Sequence, residues 1–98
     1  MRRAYLLIFN VAIGSARVRK WIDGSNLVIT WRAELPFSYY LISGATAAEL
    51  CQELEETLGK RGRYLITELS DNRQGRLPTE SWYLLRHKRL KPKPTNEA

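Results

Sequence analysis

The chain is poor in the residues that carry most catalytic chemistry. One cysteine, Cys51, excludes an internal disulfide framework and a multi-cysteine metal site. One histidine, His87, leaves too few soft ligands for zinc. No Ser-His-Asp set, glycine-rich phosphate loop or histidine general base is present, so no competent catalytic constellation can be named. No apolar run is long enough to span a bilayer. The opening "MRRAYLLIFNVAIGSA" mimics a signal peptide, but Asn10 interrupts its apolar segment and cleavage would remove the most hydrophobic strand. The expectation is therefore an uncleaved chain in a reducing cytoplasm.

What is present suits one small domain. At 98 residues the chain supports a single modest core. Its net charge of +6 suggests nucleic acid, yet the excess is concentrated: Arg86, Lys88, Arg89, Lys91 and Lys93 face Glu97 alone. The expected division is a folded domain over 1–86 and a basic, disordered, proline-spaced tail over 87–98.

Apolar periodicity predicts the elements. Ala4 to Asn10 is apolar at alternate and intervening positions, as in a strand buried on both faces. Ala16 to Asp23 places Val18, Trp21 and Ile22 on one helical stripe, with Ser15 as N-cap and Gly24 as the stop. Leu27 to Leu35 alternates cleanly, with Leu27, Ile29, Trp31, Ala33 and Leu35 on one face, as in an edge strand. "FSYYLIS" is a second doubly apolar strand. Thr46 and Glu49 form a capping box, and Ala47, Leu50, Cys51, Leu54 and Leu58 continue the helix to Gly59. Cys51 reads as a small buried hydrophobe on that stripe. Arg63 to Ser70 is a fourth strand. "TESWYLLRH", residues 79–87, fits either a helix capped by Thr79 or a fifth strand.

The order strand, helix, strand, strand, helix, strand predicts an α+β, ferredoxin-like βαββαβ sandwich with a short C-terminal extra element. The two doubly apolar strands are those this topology places centrally. Two helices cover only one sheet face. The other needs a lid: the C-terminal segment, a second copy, or stacked bases. We expect a homodimer with Tyr5, Leu7, Phe9, Tyr40 and Ile42 at its interface, the C-terminal segment adding to the partner's sheet edge. Base stacking on Tyr5, Phe9, Tyr39 and Tyr40 is the weaker expectation, since "LPFSYYLI" lacks the basic residue and glycine of an RNA-recognition motif. Arg17, Arg19 and Lys20 on the first helix are expected to be neutralised by Glu49, Glu53, Glu55 and Glu56 on the second.

With its βαββαβ order, "YLLIFN", "WRAELPFSYYLIS" and a short segment after the fourth strand, the chain resembles the small CRISPR-associated adaptation protein (Cas-two) family. It resembles the SinR-like proteins of that superfamily more closely, over roughly residues 4 to 86. The resemblance implies a homodimer with packed sheets. In several members it implies a metal-dependent nuclease whose site uses an aspartate at the end of the first strand. Asn10 stands at that position and brings no negative charge to hold magnesium. Asn10 is accordingly expected to bond nearby backbone.

The expected function is a non-catalytic module without cofactor, contacting DNA or RNA phosphates through Arg32, Arg73, Arg76, Arg86, Lys88 and Arg89. Two alternatives stay open. One is a magnesium-dependent endoribonuclease using Asn10 and Asp71, with Asp71 otherwise read as part of a polar turn. The other is a protein-docking module.

Overall fold

The computed structural model describes residues 1–92; Lys93 and the rest of the expected tail lie outside them. The elements are β1 (Arg3–Phe9), α1 (Ser15–Gly24), β2 (Val28–Arg32), β3 (Ser38–Ser43), α2 (Ala47–Leu58), β4 (Tyr64–Glu68) and α3 (Thr79–His87). The strands form one four-stranded sheet in the order β2-β3-β1-β4, antiparallel throughout. β1 and β3 are thus central, as their doubly apolar sequences require, and every residue of β3 is buried.

Strand register sorts side chains between two faces, because directly paired residues point the same way. Tyr5 pairs with Leu41 and Leu7 with Tyr39 on β3, while Leu7 also pairs with Ile66 on β4. These side chains meet Val18, Trp21 and Ile22 of α1 and Leu50, Leu54 and Leu58 of α2 in the larger core. The opposite face carries Ala4, Tyr40 and Ile42, which pack against Leu84 and Leu85 of α3.

The C-terminal segment is therefore a helix lying over its own sheet. Leu84 and Leu85 are buried with Ser81, at the helical spacing of three and four. This corrects the interface expectation. Tyr5, Leu7 and Phe9 are buried beneath α1 and α2; Tyr40 and Ile42 are buried beneath α3. The five residues occupy opposite faces of the sheet and are covered within one chain. The aromatics considered for base stacking are covered too. Phe9 stacks on Tyr39 at 5.9 Å between centroids, and the Tyr5 hydroxyl donates to the carbonyl of Ala45 at 2.6 Å.

Local signals explain most boundaries. The Thr46 hydroxyl accepts from the Glu49 amide at 3.1 Å, and the Glu49 carboxylate accepts from the Thr46 amide at 2.9 Å. α1 begins one residue earlier than expected. Gly14, at φ 83, is its N-cap, and the Ser15 hydroxyl instead pairs with that of Tyr39 at 3.1 Å. α3 has no side-chain cap at its start; Pro78 precedes it.

β2 departs from the clean alternation. A register shift between Val28 and Thr30 breaks the period, so Val28 and Trp31 pack with the larger core and Ile29 is exposed. The expected charge pairing across α1 and α2 also takes another form. Arg19 pairs with Asp23 of its own helix at 3.0 Å and lies over the Trp31 ring. Glu53 accepts from the Trp21 indole at 2.9 Å and from the Ser25 hydroxyl, tying α2 to the end of α1. Cys51 is half-buried against the larger core.

Candidate functional site

Antiparallel pairing separates the two residues of the nuclease alternative. At one end of β1, the Asn10 amide donates to the Arg63 carbonyl at 3.1 Å, and Asn10 Oδ1 accepts from the Arg63 amide at 3.3 Å. At the other end, the Leu69 amide donates to the Ala4 carbonyl at 2.8 Å, and Asp71 follows two residues later. Six residue steps along β1, from Ala4 to Asn10, divide these points, about 20 Å at ~3.3 Å per residue. Asn10 and Asp71 therefore do not share a site. Asn10 serves the backbone at the strand end, as its residue type suggested. Among the described residues, no three His, Cys, Asp or Glu side chains are grouped as metal ligands.

The expected phosphate contacts divide into two groups. Arg32 is committed internally. Its guanidinium donates to Glu34 Oε1 at 2.7 Å through Nη2 and to the Ser81 hydroxyl at 2.9 Å through Nε. Ser81 in turn donates to the same Glu34 oxygen at 2.6 Å. This triangle joins β2 and the segment after it to the buried face of α3. The Ser81 hydroxyl, with Arg32 beside it, holds the Glu34 carboxyl below its ordinary range. Burial pushes the nearby Tyr40 phenol up, and the Glu34 charge adds to that.

The remaining arginines gather on the α3 side. Residues 69–78 connect β4 to α3, and Arg73 folds back over this loop, donating from Nη1 to the Ser70 carbonyl at 2.7 Å. Its contact with Asp71 is longer, 3.4 Å, and the Asp71 side chain is fully exposed. The Arg73 side chain is only 19% exposed, and its Nε is buried without a hydrogen-bond partner among the described residues. An open cleft of about 610 Å³ is lined by Asp71, Arg73, Gln74, Thr79, Trp82 and Arg86. Arg73, Gln74 and Trp82 also wall an adjoining recess of about 370 Å³, whose other walls include Arg76, Leu6, Leu35, Leu69, Leu77 and Leu85. Arg73, Arg76 and Arg86 are thus brought around two adjoining depressions.

Lys88 and Arg89 follow directly. The expected tail boundary falls inside α3, which runs through His87. Lys88 is its left-handed cap at φ 56, and its carbonyl accepts from Arg2 at 3.1 Å. The His87 ring lies 4.2 Å from that of Tyr83, and Arg89 lies 5.8 Å above the Tyr83 ring.

Trp82, Gln74, Thr79 and Leu77 did not emerge as site residues from sequence. The helical spacing of Ser81, Leu84 and Leu85 would have turned Trp82 toward the loop once α3 was placed on the sheet. Comparison with known proteins adds no relative: no family model, curated protein or solved structure matches the chain. Among the described residues, no helix is long and apolar enough to cross a membrane.

Proposed function

We propose that this chain is a non-catalytic, ferredoxin-like nucleic-acid-associated module of the cytoplasm, related in shape to the Cas-two and SinR-like superfamily. The βαββαβ order, the central β1 and β3, and the placement of α1 and α2 on one face support the architectural part. One observation carries the functional part. Arg73, Arg76 and Arg86 line two adjoining depressions, and Lys88 and Arg89 follow Arg86 at the end of α3. Arg32 is removed from the contact set by its bonds to Glu34 and Ser81. Clustered guanidinium groups favour phosphate oxygens without reading base sequence.

The reading retains a homodimer, moved from the five buried residues to the strip that α3 leaves uncovered. Ile8 on β1 pairs with Leu65 on β4, and they are 43% and 59% exposed. Such a neighbouring apolar pair is a natural contact for a second copy.

The test is fluorescence anisotropy with labelled DNA and RNA oligonucleotides at increasing salt. Expected is weak binding whose logarithm falls linearly with the logarithm of salt. Arg86→Gln should reduce the slope by about 0.7–0.9. Undetectable affinity at low salt, or affinity indifferent to salt, overturns the reading. Light scattering at micromolar concentration tests the dimer separately.

A further inference from the structure

The depression beside α3 has two chemically different halves. One half is walled chiefly by five leucines, Leu6, Leu35, Leu69, Leu77 and Leu85, with Trp82, Tyr40 and Arg76 beside them. Leu35 remains 55% exposed, so apolar surface is left in contact with water here. The other half is cationic. Arg73 and Arg86 line it, and the exposed Asp71 beside them places its Oδ1 3.4 Å from Arg73 Nη1. Thr79, the first residue of α3, also faces the cleft, and helix N-termini favour negative charge. Glu80, in that first turn, is not among the lining residues.

One further observation points to a ligand. Arg73, Gln74 and Trp82 wall both, so the cationic and apolar halves adjoin. Their volumes of about 610 and 370 Å³ fall in the usual range for small-molecule sites, ~300–1,000 Å³, which combine mostly apolar walls with a few placed polar groups.

We infer that this cleft binds an amphipathic anion: a single-chain aliphatic carboxylate, its head on Arg73 and Arg86 and its chain against the leucines and Trp82. The inference goes beyond nucleic-acid association and does not rest on it. A carboxylate head pairs with the guanidinium groups of Arg73 and Arg86 that line the cleft, in the planar geometry such groups match best. The chain covers leucine surface that α3 leaves open.

The experiment is calorimetric titration of the full chain with decanoate below its micelle concentration, alongside decanol and inorganic phosphate. Amide NMR spectra follow each titration. Decanoate is expected to bind at least about tenfold more tightly than either comparison ligand, as a charge-assisted bond added to apolar contact would produce. Amide shifts should concentrate in residues 69–86 and around Leu6, Leu35 and Tyr40. Arg73→Gln should bring decanoate to the level of decanol. Arg86→Gln, on an exposed helix position, tests the same point if the first variant loosens the loop. Leu77→Ser should weaken both chain-bearing ligands. Equal binding of decanoate and decanol, equal binding of decanoate and phosphate, or shifts lying away from 69–86, Leu6, Leu35 and Tyr40 would each overturn the assignment. Failure of oligonucleotide binding would leave it standing.

Discussion

Arg32 on β2 and Ser81 on α3 are joined by a 2.9 Å hydrogen bond from the guanidinium Nε to the hydroxyl, although 49 residues separate them in sequence. Glu34 accepts from both. The C-terminal helix is therefore fastened to the far edge of the sheet by a polar clasp as well as by leucines.

Glu34→Ala should loosen that clasp. It leaves the Arg32 guanidinium and the fully buried Ser81 hydroxyl without their shared acceptor. The expected loss is about 1–2 kcal/mol, toward the lower part of the range for such groups because Arg32 is partly solvated. Urea denaturation followed by tryptophan fluorescence measures it. An unchanged midpoint would mean that water replaces the carboxylate without cost.

Acid should act through the same carboxyl. Its folded value is depressed, so its stabilising contribution is complete above the ordinary glutamate value of 4.5 and is lost as pH falls through the folded value. Melting temperature recorded from neutral pH to about pH 2 should fall on the acid side. Glu34→Gln should flatten that limb. Some slope will persist in the variant, because Glu49 in the capping box is depressed in the same direction. Identical slopes in the two proteins would remove Glu34 from the account.

Leu84→Ala tests whether the helix is a structural lid. Leu84 is wholly buried against Ala4, Tyr40 and Ile42. Truncation should cost about 2–5 kcal/mol and increase binding of a hydrophobic dye. Little change in either measurement would show that the sheet face does not depend on α3.

Gly62→Ala addresses the end of β1. Gly62 sits at φ 72, and an added Cβ would run into Ile13 Cγ1 and lie 2.8 Å from Asn10 Oδ1. The backbone strain alone costs about 1–3 kcal/mol. Asn10→Ala, which removes an acceptor from the Arg63 amide, should cost about 1 kcal/mol. Both are read by denaturation. In a parallel assay with labelled RNA and magnesium, Asn10→Ala and Asp71→Ala should leave background cleavage unchanged. A selective loss in either would revive the nuclease alternative.

Much of the architecture was legible because its signals are local. The Thr46–Glu49 box and Gly59 mark α2, and apolar residues on both sides of β1 and β3 mark the sheet centre. What escaped depends on register. Tyr5 and Tyr40 look alike as aromatic strand residues, yet Tyr5 pairs with Leu41, so the two face opposite ways. The β2 alternation misled for a related reason: the irregularity between Val28 and Thr30 resets the faces, and nothing in the order of side chains announces it. Residues 79–87 were ambiguous because Leu84 and Leu85 acquire their burial from the sheet, a contact outside their own segment. The arginine cleft was legible only in part. Residue type identified Arg73, Arg76 and Arg86, but their convergence and the withdrawal of Arg32 follow from where α3 lands.

The irregularity in β2 also decides how strands from elsewhere can meet this molecule. One margin of the sheet is kinked and strapped by Arg32, Glu34 and Ser81, which discourages a flat in-register neighbour. β4, at the other margin, continues regularly from Tyr64 to Glu68, and among the described residues no strand pairs with its outer backbone. Lateral growth of the sheet, whether useful or pathological, is thereby directed to β4.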